Sequence, residues 1–283
     1  MCHKFYGSPM FLRSLPWLAP LRTWPTAPLS MAACLWCASA ALAHAQPSTA
    51  PIEVRPAQAT AVAADKIAWR APAAARLQFE VQGKVKNFPY KTQAQLDWLP
   101  SGKRYEASQS LQVPIVGVRR QSSVGSIGPQ GLQPEIFMDS GRKEYSTTFD
   151  ATAGQIRFSR GSEPALWASG MQDRMSVFFQ VAGMLAAAPQ RYPKGTQIIV
   201  QTASSSRVAP WTFIVRGTET LQLPAGRMAT IRLEHQSESG LEDGLQSSLW
   251  LAPSLQYLPV RIRLLEDAGR DELDLKLKSH SKP

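Results

Sequence analysis

The sequence predicts a mainly β protein in which an antiparallel curved sheet forms an open, or half, β-barrel around one long buried α-helix. Two observations lead to this fold class. About a dozen segments between residues 77 and 278 alternate apolar and polar residues with a period of two, and turn residues separate them. One segment has helical spacing instead. So many hairpin-spaced strands need protected edges, which a curled sheet provides.

The strand period is clearest at the start of this region. Leu77, Phe79 and Val81 alternate with polar residues, and the same alternation returns over residues 90–98. Turns at 100–102 and 128–131 contain proline and glycine, which favour chain reversal. Further strands are predicted at 105–113, 116–127, 132–138, 143–150, 155–160, 196–202, 211–220, 227–236, 246–251, 257–266 and 271–278.

The helix is predicted over residues 169–188. Ser169 and Gln172 have the spacing of a capping box, and Pro189 follows the expected end. The apolar residues within it are Val177, Phe178, Val181, Met184 and Leu185. A helix this apolar is expected to be buried, with Phe178 and Leu185 in the core.

Residues 1–45 have the features of a secretory signal peptide. Positive charges precede an apolar stretch at 29–43, and Ala43-His44-Ala45 forms a cleavage site, so the mature chain is expected to start at Gln46 in the periplasm. The apolar stretch is shorter than the roughly 20 residues that span a bilayer, and no transmembrane span is expected in the mature chain. An uncleaved anchor and lipidation at Cys34 remain alternatives.

The rest of the chain divides into two predicted parts. Residues 46–75 are rich in alanine and proline and have few large apolar residues, which predicts a disordered linker. Residues 76–283 are predicted to form a single β-rich domain. The net charge of the expected mature chain is +7, which favours anionic envelope partners, such as a lipid or an acidic glycan, over nucleic acid for an exported protein.

Few residues suited to catalysis remain after the leader. All three cysteines lie in the first 37 residues, and only His235 and His280 follow residue 45. His235 is expected to be a surface or rim residue, and the paired acids at 242–243 and 266–267 are expected to solubilise turns. The sequence therefore predicts no enzyme, no metal site and no cofactor.

Several phrases resemble the bacterial exported family called Domain of Unknown Function 3108. They are Gln172-Asp173-Arg174-Met175-Ser176, Leu223 to Arg227, Trp250 to Pro253, Leu258 to Arg263, Arg119-Arg120-Gln121-Ser122 and Gly131 to Pro134. The resemblance covers roughly residues 76–277. It implies an open β-barrel like that of bacterial envelope carriers, and it implies no transferable activity.

The predicted ligand-binding residues combine cations with aromatic rings. Arg261 and Arg263 share one face of a strand, where they can bind phosphate or carboxylate, pair with acids across the hairpin, or face solvent. The full set is Arg119, Arg174, Trp250, Tyr257, Arg261 and Arg263. The predicted function is a periplasmic carrier of an amphipathic, anionic lipid or glycan. The alternatives are an envelope assembly factor that binds an envelope protein and a glycan or lipid hydrolase.

Overall fold

The structure is a computed structural model that describes residues 50–57, 67–85, 88–113, 117–236, 246–266 and 271–283. The chain divides into two units, Met1–Ser48 and Thr49–Pro283. All described residues belong to the second unit, so the predicted signal peptide lies outside them. Within the described part of the chain, no helix combines the length and apolar character that a membrane span requires.

The described residues of the second unit form sixteen strands and one α-helix. The helix α1 is Ser176–Ala187, and short 3-10 turns occupy Pro189–Arg191 and Pro253–Leu255. The strands are β1 (Ile52–Arg55), β2 (Ala75–Val85), β3 (Phe88–Ser101), β4 (Arg104–Val113), β5 (Gly117–Gly128), β6 (Gly131–Ser140), β7 (Glu144–Asp150), β8 (Gln155–Phe158), β9 (Ala165–Leu166), β10 (Gln172–Asp173), β11 (Gln197–Ala203), β12 (Val208–Leu223), β13 (Gly226–Gln236), β14 (Gln246–Ala252), β15 (Leu258–Glu266) and β16 (Asp271–Ser281).

These strands form one continuous sheet that does not close on itself. Its order is β1-β11-β12-β13-β14-β15-β16-β2-β3-β4-β5-β6-β7-β8-β9, with antiparallel pairing throughout, and β10 pairs in parallel with β11. Strands β2 to β9 and strands β11 to β16 each follow chain order. The pairing of β16 with β2 joins these two halves into one sheet. The predicted mainly β fold with an open, curved antiparallel sheet is therefore confirmed.

The sheet curves around α1. The helix contacts β6, β10, β11 and β15, although β6 and β11 are far apart in the strand order. A flat sheet could not bring these strands to one helix. Phe179 of α1 stacks on Trp98 of β3 with ring centroids 4.4 Å apart, and both side chains are fully buried. The core therefore lies between the concave face of the sheet and the helix.

The helix begins later than the sequence predicted. Gln172 and Asp173 belong to β10, and α1 starts at Ser176. The Asp173 carboxylate accepts the backbone N–H groups of Met175 and Ser176, each at 2.7 Å. The Ser176 hydroxyl accepts the Asp173 N–H at 2.9 Å, which completes a reciprocal cap. The predicted pair Ser169 and Gln172 is therefore wrong as the cap, because Gln172 is held in the sheet.

The prediction for the two helix residues is half correct. Leu185 is fully buried, as expected. Phe178 is only partly buried and meets Trp211 edge-on, with ring centroids 6.4 Å apart. Phe179 takes the core position instead. Because the helix is apolar on almost every side, its sequence pattern does not specify which face meets the sheet.

The predicted disordered linker is wrong for residues 52–55 and 67–75. Strand β1 pairs with β11 and buries Ile52 and Val54. Farther along, the Trp69 indole donates to the Gln180 carbonyl at 3.1 Å, and the Arg70 N–H donates to the Gly183 carbonyl at 3.1 Å. A few large side chains and backbone hydrogen bonds to existing elements are sufficient to order these short pieces, despite the alanine- and proline-rich composition.

Candidate ligand-binding groove

The space between α1 and the sheet is filled by side chains. Five large residues from both elements, each under 2% exposed, meet there: Trp98, Leu132, Phe137, Phe179 and Met184. Side chains packed this closely leave no room for an acyl chain between α1 and the sheet. The concave face is therefore a packed core in the described part of the domain.

A buried polar network fixes the start of α1 within this core. The Ser123 hydroxyl donates to Asp173 at 2.5 Å, and the Tyr105 hydroxyl lies 2.9 Å from Ser123. Burial raises the pKa of Asp173 to about 6, against the lowering effect of its hydrogen bonds with Ser123, Ser176 and Met175. Burial also raises the pKa of Tyr105 well above its usual value. The network ties β4 and β5 to the helix.

Arg261 and Arg263 lie on the outer face of β15. Val260 and Ile262, which alternate with them, are buried in the core. Arg261 forms a bidentate pair with Asp274 at 2.9 and 2.8 Å, and Arg263 pairs with Glu272 at 2.8 Å. Of the three roles that the sequence left open, the structure therefore favours pairing across the hairpin.

Trp250 lies directly beside Arg261 and is only 4% exposed. The guanidinium of Arg261 is 4.5 Å from the indole centroid, and that of Arg232 is 5.3 Å from it. The indole N–H donates to Glu219 of β12. The tip of the β12–β13 hairpin also reaches β16, where Ala225 N–H donates to the Leu277 carbonyl at 3.0 Å. This cluster is covered by protein, which leaves no accessible aromatic face for a ligand.

The remaining predicted site residues have other partners. Arg119 pairs with Asp139 at 2.9 Å, and the Arg174 guanidinium lies 5.8 Å from the Trp211 ring centroid. Tyr257 follows a 3-10 turn in a left-handed conformation, with φ of 65°, and packs against the core. The structure thus brings Trp250 and Arg261 together but does not gather the six predicted residues into one site.

His235 is buried, so the prediction of a surface or rim position is wrong. Its ring stacks on Trp211 with centroids 4.7 Å apart, and Nδ1 lies 3.2 Å from the Thr212 carbonyl. Period two places His235 on the same face as Leu233, which is fully buried. Strand position alone therefore accounts for its burial.

A polar groove of about 500 Å³ crosses the sheet from β3 to β7. Its lining consists of Gln95, Asp97, Ser108, Gln109, Ser110, Arg120, Gln121, Ser122, Met138, Ser140 and Glu144. A second concavity of about 250 Å³ is lined by Gln78, Phe79, Gln93, Ala94, Gln95, Ser110, Gln112, Val118, Arg120 and Lys278. The two concavities share Gln95, Ser110 and Arg120. We call them the β3–β7 groove and the β2–β5 concavity.

Strand register explains why these polar residues lie together. One row of directly paired residues runs across six strands, and its members are Gln78, Gln95, Ser110, Arg120, Ser140 and Glu144. Leu96 and Ala107, which alternate with members of the groove, are buried in the core. Because successive side chains point to opposite faces, the row lies on the outer face of the sheet.

The β3–β7 groove presents amides, hydroxyls and charges that are mostly engaged. Asp97 accepts hydrogen bonds from Arg76 and Gln95, each at 2.7 Å. Glu144 accepts the Ser140 hydroxyl at 2.8 Å. Amides and hydroxyls both donate and accept, which suits a ligand with many hydroxyl groups. The described residues contain no cluster of three or more potential metal ligands among His, Cys, Asp and Glu.

Sequence reasoning singled out Arg119 and missed Arg120 beside it. The two side chains point to opposite faces of β5, and Arg119 pairs with Asp139 on its own face. The run Arg119-Arg120-Gln121-Ser122 was a visible signal. Only the register with β4 and β6 shows which of its residues enter the groove.

Comparison with known proteins gives a family and a fold. The family model described as "Protein of unknown function (DUF3108)" matches residues 89–276. A crystal structure of a beta-barrel-like protein of domain of unknown function DUF1849 from Brucella abortus is similar, with a TM-score of 0.51 and 12% identity. That similarity covers 76% of this chain and 100% of the other, and at this identity it shows the fold alone. No curated protein matches the sequence.

Proposed function

The chain belongs to the DUF3108 family, and we propose that it is an exported, non-catalytic binding protein whose β3–β7 groove holds a hydroxyl-rich glycan of the cell envelope. The observation that carries this proposal is the lining of the groove, where amide and hydroxyl side chains come from four adjacent strands, β3 to β6. Its volume of about 500 Å³ falls within the range of small-molecule sites.

A glycan fits this groove better than a lipid chain does. The side chains of α1 fill the interior that an acyl chain would need. Met138 is the one apolar residue in the lining of the β3–β7 groove, so an acyl chain would find little apolar surface to contact there and would displace water from polar groups that it cannot hydrogen-bond. Sugar hydroxyls, in contrast, can exchange hydrogen bonds with water for hydrogen bonds with the groove.

The lining also favours binding over hydrolysis. A glycosidase needs two carboxyl groups placed on either side of the scissile bond, one of them free to donate a proton. In the groove, Asp97 is held by Arg76 and Gln95, and Glu144 lies at the other end of the lining, where it accepts the Ser140 hydroxyl. These hydrogen bonds favour a structural role for both Asp97 and Glu144 over a catalytic one.

The test uses isothermal titration with soluble envelope glycans, including peptidoglycan-derived muropeptides and neutral oligosaccharides. The double variant Gln95→Ala and Ser110→Ala removes polar groups shared by both concavities and is expected to weaken binding about tenfold, because each lost hydrogen bond contributes about 0.5–1.5 kcal/mol. Gln222→Ala, an exposed glutamine of β12 outside both linings, is the control.

Equal binding by the groove variant and the control would contradict the proposed site. Organic extraction of the native protein adds an independent check, since a stoichiometric bound lipid would favour the lipid-carrier alternative. If no glycan binds and no lipid is extracted, the assembly-factor alternative gains support. In that case the exposed Leu166 on the edge strand β9 is the first surface to examine, because unpaired strand edges can accept another strand.

A further inference from the structure

We infer that Arg120 and Lys278 form an anion subsite in the β2–β5 concavity, so that the bound glycan carries a carboxylate or a phosphate group. This inference rests on the proposed function and narrows its ligand class. It starts from the lining of the β2–β5 concavity, which contains two cations and no carboxylate. Among these lining residues, an acidic group would meet only positive charges.

Arg120 is available for a ligand. Its side chain is exposed, and it forms no ion pair or hydrogen bond with the described residues. Its neighbours differ in this respect, because Arg119 pairs with Asp139 and Arg76 pairs with Asp97. A free planar guanidinium can bind a carboxylate or phosphate with two parallel hydrogen bonds.

Lys278 lies at a β-bulge and lines the same concavity. Leu277 pairs with Phe79 and Ser279 pairs with Gln78, so Lys278 is an extra residue in β16 without a partner in β2. Bulges of this kind redirect side chains and often lie beside functional sites. Lys278 is exposed and forms no side-chain ion pair with the described residues. Two cations from strands that are not adjacent thus line one concavity.

The positions of the acidic residues predict how the bound ligand is oriented. Asp97 and Glu144 line only the β3–β7 groove, where Asp97 is neutralised by Arg76 at 2.7 Å. Glu144 would repel an anion placed near Ser140. The acidic group is therefore expected on the Ser110 side of Arg120, and the hydroxyl-rich remainder extends into the β3–β7 groove. The net charge of +7 on residues 46–283 also attracts anions to the protein.

The test compares three oligosaccharides of equal length: a neutral one, one with a uronate carboxylate and one with a phosphate. Titration calorimetry at low and physiological salt measures each against the wild-type chain and against the double variant Arg120→Gln and Lys278→Gln. The control is Arg227→Gln, which removes an exposed cation near the tip of the β12–β13 hairpin. Arg227 forms no ion pair with the described residues and lies outside both linings.

The wild-type chain is expected to bind an acidic oligosaccharide about ten- to a hundredfold more tightly than the neutral one, because charged hydrogen bonds contribute more than neutral ones. The double variant should lose this preference and keep its affinity for the neutral oligosaccharide. The Arg227 variant should keep the preference. Whichever acidic oligosaccharide binds more tightly, the one with uronate or the one with phosphate, identifies the acidic group.

The two proposals fail in different ways. Equal affinity of the wild-type chain for all three oligosaccharides overturns the anion subsite and leaves the glycan proposal standing. An acidic preference that the double variant retains, or that the Arg227 variant also loses, overturns the assignment to Arg120 and Lys278. If no oligosaccharide binds, a titration with inorganic phosphate decides: binding that the double variant abolishes supports the subsite alone, and its absence overturns both.

Discussion

Replacing Asp173 with asparagine is predicted to stabilise the protein at neutral pH. Burial raises the pKa of this carboxyl group from 3.8 to about 6 in the folded chain. Between these two values the folded state binds a proton that the unfolded state releases. The stability that this group contributes is therefore complete below pH 3.8 and is lost as the pH rises through about 6.

The size of the effect follows from the shift. A shift of roughly two pKa units corresponds to about 3 kcal/mol of unfolding free energy. The change Asp173→Asn removes the buried charge and keeps an oxygen that can accept the N–H groups of Met175 and Ser176. Asparagine can also donate to the Ser123 hydroxyl, which now donates to Asp173. The variant is therefore expected to gain up to about 3 kcal/mol over wild type between pH 4 and pH 7.

Urea unfolding of both chains at half-unit steps from pH 4 to pH 8 measures this difference directly. A control variant, Glu135→Gln, removes an exposed acid that pairs with Arg104 and should change stability by less than about 1 kcal/mol at every pH. A pH-independent difference between Asp173→Asn and wild type, or a variant that is less stable at pH 7, would refute the reasoning. Either result would mean that the hydrogen bonds outweigh the cost of burying the charge.

Three further outcomes are expected. The change Phe179→Ala should lower the free energy of unfolding in urea by about 3–5 kcal/mol, because Phe179 is fully buried on Trp98. The change Phe178→Ala should lower it clearly less, and equal losses would contradict the packing of α1. The change Arg261→Gln should cost about 1–3 kcal/mol, because it leaves the buried Asp274 without its bidentate partner; an unchanged melting temperature would contradict that. N-terminal sequencing of the exported protein should begin at Gln46, and a lipid-modified Cys34 would contradict the predicted cleavage.

The strands could be predicted because one face of each is buried. Leu96 and Trp98 on β3 are buried while Gln95 and Asp97 face outwards, so a period of two appears directly in the sequence. The same logic fails for β1, which has only four residues, two of them buried. A short edge strand inside an alanine- and proline-rich segment produces no periodic signal, and its order comes from β11.

The start of α1 shows a different limit. Ser169 with Gln172 and Asp173 with Ser176 both have the spacing of a cap, and both precede the same apolar run. The choice between them is made by tertiary contacts. The Gln172 amide donates to the Leu132 carbonyl at 2.8 Å, which holds that residue in the sheet. The local sequence does not indicate this contact with β6, so the later start of α1 could not be predicted.

The candidate site was missed because period two sorts residues into faces but does not say which face is concave. Arg261 and Arg263 were correctly assigned to one face, and that face proves to be the outer one, where acids neutralise them. Arg120 and Lys278 line one concavity of the outer surface because β16 pairs with β2, far from it in the sequence. A strict count along β16 places Lys278 opposite the buried Leu277 and therefore on the outer face, but it does not show which strand lies beside β16. The proposed subsite therefore rests on cations that have no acidic partner among the described residues, and not on cations that the sequence places side by side.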